Sequence, residues 1–177
     1  MPAIILDRDG VINEDSSEFI KSVDEWRAIP GSLEAIAALS QAGWTIAICT
    51  NQSGIARGLL TPENLEQIHD AIRQGVQKLG GNVHGIYSCP HGPLDGCACR
   101  KPKPGLYIQA AEELGFTLRN TPVVGDAARD LEAAIKVDAR PILVRTGKGV
   151  ETAATISNLG SIEIHDDLQA VASALLA

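Results

Sequence analysis

Five short apolar runs recur along the chain, each closed by a polar turn, and most are followed by a stretch with helical spacing. They are AIIL (3–6), WTIAICT (44–50), VHGIYS (83–88), PVVGD (122–126) and RPILVR (140–145). Runs this short do not alternate apolar with polar residues, so they read as strands buried on both faces. Regular β–α alternation predicts an α/β fold: a parallel sheet with right-handed crossovers and helices on both faces. Apolar residues make up 45% of the chain but aromatics only 3%, so the core must be aliphatic. A length of 177 residues suits a single domain over 1–177, and no repeat or linker interrupts it.

The helix signals are local. Ser32 is expected to cap a helix through LEAIAALSQA that stops at Gly43, and Thr61-Pro62 opens a longer one that stops at Gly80-Gly81. Further helices are predicted at 105–114 before Gly115, over ARDLEAAIKV, and over the capped tail DDLQAVASALLA, with a weak strand near 161–164. Residues 13–30 are mostly polar and read as a loop or flap.

Several partner classes are disfavoured. No apolar run approaches the roughly 18 residues of a membrane span, and MPAIILDRDG lacks the basic start of a signal peptide. A net charge of −7 argues against nucleic acid, which needs a positive face. The chain is expected to be a cytoplasmic monomer without nucleic-acid or membrane partners.

In an open parallel sheet, ligands bind beyond the carboxyl ends of the strands. The residues there are DRDG after the first run, TNQSG after the second and GDAARD at the end of the fourth. Asp7 and Asp9 are two apart and project to one side of an extended chain, where they repel each other unless a cation or shared proton intervenes. Asp126 stands where any helix start favours a carboxylate, and Asp130 reads as a helix-stabilising charge. Together Asp7, Asp9 and Asp126 would form an oxygen-only site suited to Mg²⁺, with Thr50, Asn51 and Lys101 as donors to a phosphate.

A second cluster lies in CPHGPLDGCACRKPKPG (89–105). Cys89, His91, Cys97 and Cys99 supply three thiolates and an imidazole, the donor set of a closed structural Zn²⁺ site. A disulfide would leave an odd thiol and give the histidine no role. The zinc loop, 89–100, would aim Arg100 and Lys101 at phosphate. Cys49 reads as an inert buried thiol, and His69, His84 and His165 as surface or packing residues.

The segments ILDRDGVIN, TNQSG, RKPKPG and VVGDAARD resemble, in order, the four motifs of the haloacid dehalogenase-like phosphatases. The resemblance implies a Rossmann-like sheet with Asp7 as the nucleophile that forms an aspartyl-phosphate and Asp9 as the general acid and base. It implies Mg²⁺ on the Asp7 carboxylate, the Asp9 carbonyl and Asp126, and phosphoryl contacts from Thr50 and Lys101. About 40 residues separate Asp9 from Thr50, and neither this interval nor the next leaves room for a folded cap domain.

The zinc-type loop, TNQSGIARG (50–58) and LVRTGKG (143–149) further resemble the D-glycero-D-manno-heptose 1,7-bisphosphate 7-phosphatases. The implied substrate is a sugar with two phosphates, its distal part held by Arg100. Asp15, Asn51, Gln52, Ser53 and Arg57 are candidate substrate contacts, while Lys148 reads as a solvated surface charge. Two features depart from that pattern: Ala127 stands where some members have a lysine, and the gap between His91 and Cys97 matches the histidinol-phosphate phosphatases. Those enzymes are the alternative; a zinc-knuckle binding module without catalysis is a remoter one.

Overall fold

The computed structural model describes residues 1–177. In chain order the elements are β1 (Ala3–Leu6), α1 (Ser32–Gln41), β2 (Thr45–Asn51), α2 (Pro62–Lys78), β3 (Gly85–Cys89), α3 (Gly105–Leu114), β4 (Pro122–Gly125), α4 (Ala128–Ile135), β5 (Arg140–Val144), α5 (Gly149–Ala153), a 3₁₀ turn (Ser157–Leu159), β6 (Glu163–His165) and α6 (Leu168–Leu176). All six strands are parallel, in the order β3-β2-β1-β4-β5-β6. The order reverses at β1 and β4, which creates a crevice at their carboxyl ends.

Alternation along the strands divides the core in two. Ile4 and Leu6 of β1, Ile46 and Ile48 of β2 and Val124 of β4 pack with buried residues of α1, α2 and α6. Their neighbours Ile5, Ala47, Cys49 and Val123 face the other way, against α3 and α4. Nearly every strand residue is buried, because helices cover both faces, and this explains the unbroken apolar runs.

Most predicted elements appear within a residue or two. β3 lies slightly later than expected, and α5 and the 3₁₀ turn carried no sequence signal strong enough to predict them. Ser32 is the first residue of α1 rather than its cap, which corrects the sequence expectation. Its hydroxyl donates to the Ile12 carbonyl at 2.6 Å and so ties the helix to the loop after β1, while Gly31 occupies the capping position. At α2 the expected device is present: Thr61 Oγ1 accepts the Asn64 N–H at 3.1 Å. Residues 14–27 form no helix or strand. No helix is long and apolar enough to cross a membrane.

Candidate active site at the carboxyl edge of the sheet

Asp7 leaves the end of β1, Asp126 the end of β4, and Asp130 the first turn of α4. Their carboxylates converge, with one oxygen of each within 4.8 Å of the others. All three are buried. Lys101 joins them from the loop after β3, its Nζ 2.9 Å from Asp7 Oδ1, 2.7 Å from Asp130 Oδ1 and 2.8 Å from the Cys49 carbonyl. Only 2% of Lys101 is exposed, so the ammonium depends wholly on these partners.

Three buried carboxylates around one ammonium leave excess negative charge. Burial, then Asp130, push the Asp7 carboxyl up to about 6, although Lys101 pulls it down. Burial, Asp7 and Asp130 push Asp126 up to about 8. Burial alone would lower Lys101, but Asp130 and Asp7 outweigh it and hold its pKa above the ordinary value. A divalent cation between Asp7 and Asp126 would relieve this repulsion, and the all-oxygen donor set suits Mg²⁺. Asp7 Oδ1 is held by Lys101 and by the Arg8 N–H at 2.8 Å, which leaves the other oxygen available for chemistry.

Asp9 stands apart from the triad, and its carboxylate is clamped. Oδ1 accepts Arg8 Nε at 3.0 Å, Arg8 Nη2 at 2.7 Å and Asn13 Nδ2 at 2.9 Å; Oδ2 accepts Gln52 Nε2 at 2.9 Å. Burial works against its charge, yet Arg8, Asn13 and Gln52 together lower its pKa below the usual value. Arg8 is fully buried, and His69 packs near it; burial and Arg8 push the imidazole down to about 4, which keeps it neutral.

Two glycines make this crevice possible. A Cβ on Gly10 would stand 2.1 Å from Asp126 Oδ2, and one on Gly147 would stand 2.3 Å from it. The chain around Gly147 therefore folds over the site: Thr146 Oγ1 donates to the Gly10 carbonyl at 2.7 Å, and the Lys148 N–H donates to Asp126 Oδ2 at 2.8 Å.

The cysteine loop adjoins these residues. Cys89 Sγ lies 3.7 Å from Cys97 Sγ and 3.0 Å from Cys99 Sγ, and His91 Nδ1 lies 3.5 Å from Cys89 Sγ and 3.3 Å from Cys99 Sγ. Ligands bound at about 2.1–2.3 Å around a tetrahedral Zn²⁺ stand about 3.5–3.8 Å apart. Two of these separations match and the two that involve Cys99, 3.0 and 3.3 Å, are short, so the donor set suits zinc with Cys99 drawn slightly inward. None of the four cysteines of the chain forms a disulfide.

A family model described as HAD-hydrolase-like matches residues 98–171. The D-glycero-beta-D-manno-heptose-1,7-bisphosphate 7-phosphatase of Pseudomonas aeruginosa is 57% identical over 173 residues, 98% of this chain and 97% of the relative. The chain belongs to this 7-phosphatase family, within the haloacid dehalogenase-like hydrolases. It is a phosphatase. A crystal structure of D,D-heptose 1,7-bisphosphate phosphatase from Bordetella bronchiseptica, complexed with magnesium and phosphate, superposes with a TM-score of 0.96 at 51% identity, covering 99% of this chain and 98% of that one. The corresponding Burkholderia thailandensis structure gives 0.76 at 38% identity, covering 100% and 99%.

Within this family fold, the expected substrate contacts divide. Asn51 spends its amide on the Lys101 main chain, accepting its N–H at 3.0 Å and donating to its carbonyl at 3.1 Å. Gln52 is buried and holds both Asp9 and Thr50. Both were expected at the substrate; in the structure the Asn51 amide ties down the Lys101 main chain, and the Gln52 amide bridges Asp9 and Thr50. Ser53 is buried, whereas Arg57 is exposed and stacks on Phe19 at 5.4 Å from the ring centroid. Asp15 lies 3.5 Å from Lys148 Nζ, and Arg100 Nη1 donates to the His91 carbonyl at 3.2 Å.

Two readings need correction. Asp130 is not a surface helix charge but a fully buried partner of Lys101, and its Oδ2 also accepts the Ala127 N–H at 3.1 Å. Asp126 is not the helix cap, because that position falls on Ala127. Sequence reasoning missed Arg8 entirely. Its place between two carboxylates was the one available signal.

Proposed function

We propose that this protein removes the C7 phosphate of D-glycero-β-D-manno-heptose 1,7-bisphosphate, with Mg²⁺ as cofactor, to supply activated heptose for bacterial surface polysaccharide. The observation that carries this reading is the buried contact of Lys101 with Asp7 and Asp130, beside Asp126, at the switch point of the sheet. The β configuration rests on the names of the relatives.

Asp7 attacks phosphorus; its oxygen forms the new P–O bond as the bond from phosphorus to the C7 oxygen breaks. Asp9 gives a proton to the departing C7 oxygen, then takes one from the water that hydrolyses the aspartyl-phosphate. Water's oxygen ends on inorganic phosphate, and Asp7 is restored. The donors on Asp9 favour its carboxylate, the form needed in the second half, so one of them must yield to the leaving oxygen in the first. Lys101 and Thr50 bind the transferring phosphoryl oxygens. Bound Mg²⁺, held by Asp7, Asp126 and the Asp9 carbonyl, supplies positive charge between nucleophile and phosphate.

Cys89, His91, Cys97 and Cys99 hold a structural Zn²⁺ that stiffens the loop carrying Arg100 and Lys101. Arg100 meets the distal part of the substrate, with Asp15, Ser53 and Arg57 as further contacts. The protein acts as one domain, 1–177, and as a monomer. A reducing cytoplasm suits its free thiols.

The experiment is Mg²⁺-dependent phosphate release from both anomers of heptose 1,7-bisphosphate and from histidinol phosphate. A kcat/KM preference of at least tenfold for the β-bisphosphate is expected. Preference for histidinol phosphate would overturn the substrate and leave the chemistry.

A further inference from the structure

Two clefts of opposite charge adjoin the active-site residues, one through the 146–148 segment that bonds Asp126 and the other through Lys101. One, of about 480 Å³, lies between loop 14–17 and segment 146–148. Its charged groups are Glu14, Asp15 and Lys148, and Lys148 is already close to Asp15. The balance is negative. Its hydroxyl groups, Ser16, Ser17 and Thr146, suit a neutral polyol better than a dianion.

The other cleft, of about 330 Å³, lies between the cysteine loop and the end of α4 and shares Lys101 with the active site. Its charged groups are Arg100, Lys101, Lys103 and Lys136, and no carboxylate lines it. Lys101 is neutralised by Asp7 and Asp130. The other three form no ion pair. Each head group is held instead by a main-chain carbonyl: Arg100 by His91 at 3.2 Å, Lys103 by Cys97 at 2.6 Å, and Lys136 by Pro102 at 2.8 Å. A carbonyl dipole offsets only part of a full charge. Lys103 and Lys136 are exposed and Arg100 is half-buried, and the one acidic side chain in the lining is the Cys97 thiol. Three cations gathered there without a carboxylate, in a chain of net charge −7, make a local anion site. A phosphate dianion matches it, since its oxygens accept charge-assisted hydrogen bonds from several cations at once.

We infer that Lys136 and Lys103 join Arg100 in binding the second phosphate of the substrate, while the 14–17/146–148 cleft receives the sugar hydroxyls. This rests on the proposed bisphosphate substrate and adds its orientation: C7 phosphate at Asp7, C1 phosphate beneath the cysteine loop.

The test compares kcat/KM for heptose 1,7-bisphosphate with that for heptose 7-phosphate, which lacks the distal phosphate, in wild type, Lys136→Ala, Lys136→Arg and Lys148→Ala. The bisphosphate-to-monophosphate ratio is expected to fall about tenfold in Lys136→Ala, the effect of losing one charge-assisted contact. It recovers most of its value in Lys136→Arg and holds in Lys148→Ala. Loss of the Pro102 tether would act through Lys101 and lower both substrates together, which leaves the ratio unmoved and overturns the inference. A ratio that falls in Lys148→Ala instead assigns the phosphate to the wrong cleft and overturns it too. Inorganic phosphate added at saturating heptose 7-phosphate is expected to leave turnover unchanged; a response abolished by Lys136→Ala would mean that free phosphate, not the substrate's own, occupies the cleft. Wild type that ignores the bisphosphate sinks the substrate reading and this inference together. Wild type that hydrolyses it, with an insensitive Lys136→Ala, sinks this inference alone.

Discussion

Lys101 Nζ donates to Asp7 Oδ1 at 2.9 Å, joining two residues 94 positions apart in a contact that water scarcely reaches. The same ammonium lies 2.7 Å from Asp130. One lysine thus balances two buried carboxylates, and on the proposed mechanism it also binds the transferring phosphoryl group. Replacing it with Met leaves uncompensated buried charge, and the expected cost is about 3–5 kcal/mol of stability. Turnover should drop by about 10²–10³-fold, through loss of a donor aimed at developing charge. Thermal unfolding and steady-state kinetics check both. Wild-type turnover in Lys101→Met would remove it from the reaction.

The crowded carboxylates make metal-free stability depend on pH in a particular direction. Asp7 and Asp126 titrate at about 6 and about 8 in the folded protein, above the ordinary carboxylate value near 3.9. Folded protein therefore holds protons that the unfolded chain has released, so stability declines as pH rises from about 5 to 8. On the proposed reading, Mg²⁺ held by Asp7 and Asp126 would replace those protons. Its affinity should rise across the same window, by up to about tenfold per pH unit for each proton displaced. Melting curves with and without Mg²⁺ at each pH test this, and a metal-induced rise in Tm that is larger at pH 5 than at pH 8 would contradict it.

On the proposed reading, zinc held by Cys89, His91, Cys97 and Cys99 would stiffen the loop that carries Lys101. Purified protein is expected to contain about one zinc per chain by elemental analysis. Stripping both metals with a chelator and returning Mg²⁺ alone should leave activity low, while returning zinc as well restores it. Cys99→Ser should bind zinc more weakly and melt earlier. Full activity in zinc-free protein would separate the cysteine cluster from catalysis.

Gly10 tests how closely the chain packs on Asp126. Gly10→Ala places a methyl 2.1 Å from Asp126 Oδ2 at a residue with φ of 84°, a region that costs a residue with a side chain about 1–2 kcal/mol. Mg²⁺ binding, measured calorimetrically, should weaken by more than tenfold while the fold persists. Unchanged affinity would mean that Asp126 is not a ligand.

Local signals in the sequence served well where the physics is local. The strands β1 and β4, the Thr61 cap and the stop at Gly115 follow from a few neighbouring residues each. The cysteine cluster was legible because ligand type and spacing are nearly sufficient to define it. Partners distant in sequence were not. Asp130 resembles any acidic residue in a first helical turn, and its role depends on Lys101, delivered by a loop from the far side of β1. Ser32 has a capping residue's chemistry, but the Ile12 carbonyl takes its hydroxyl. Asn51 and Gln52 sit in a motif read as substrate-facing, yet the need to hold Lys101 and Asp9 claims their amides. Arg8 is conspicuous only once the clamp on Asp9 is seen.

The central claim is that Asp7 carries the phosphoryl group. Rapid mixing of Asp9→Asn with p-nitrophenyl phosphate, whose leaving group needs no acid, isolates the first half of the reaction. The account predicts a burst of about one p-nitrophenolate per chain, followed by slow turnover, with the mass of one phosphoryl group on the peptide containing Asp7. A phosphoryl group found on any other residue, or steady release with no phosphorylated peptide, would contradict it.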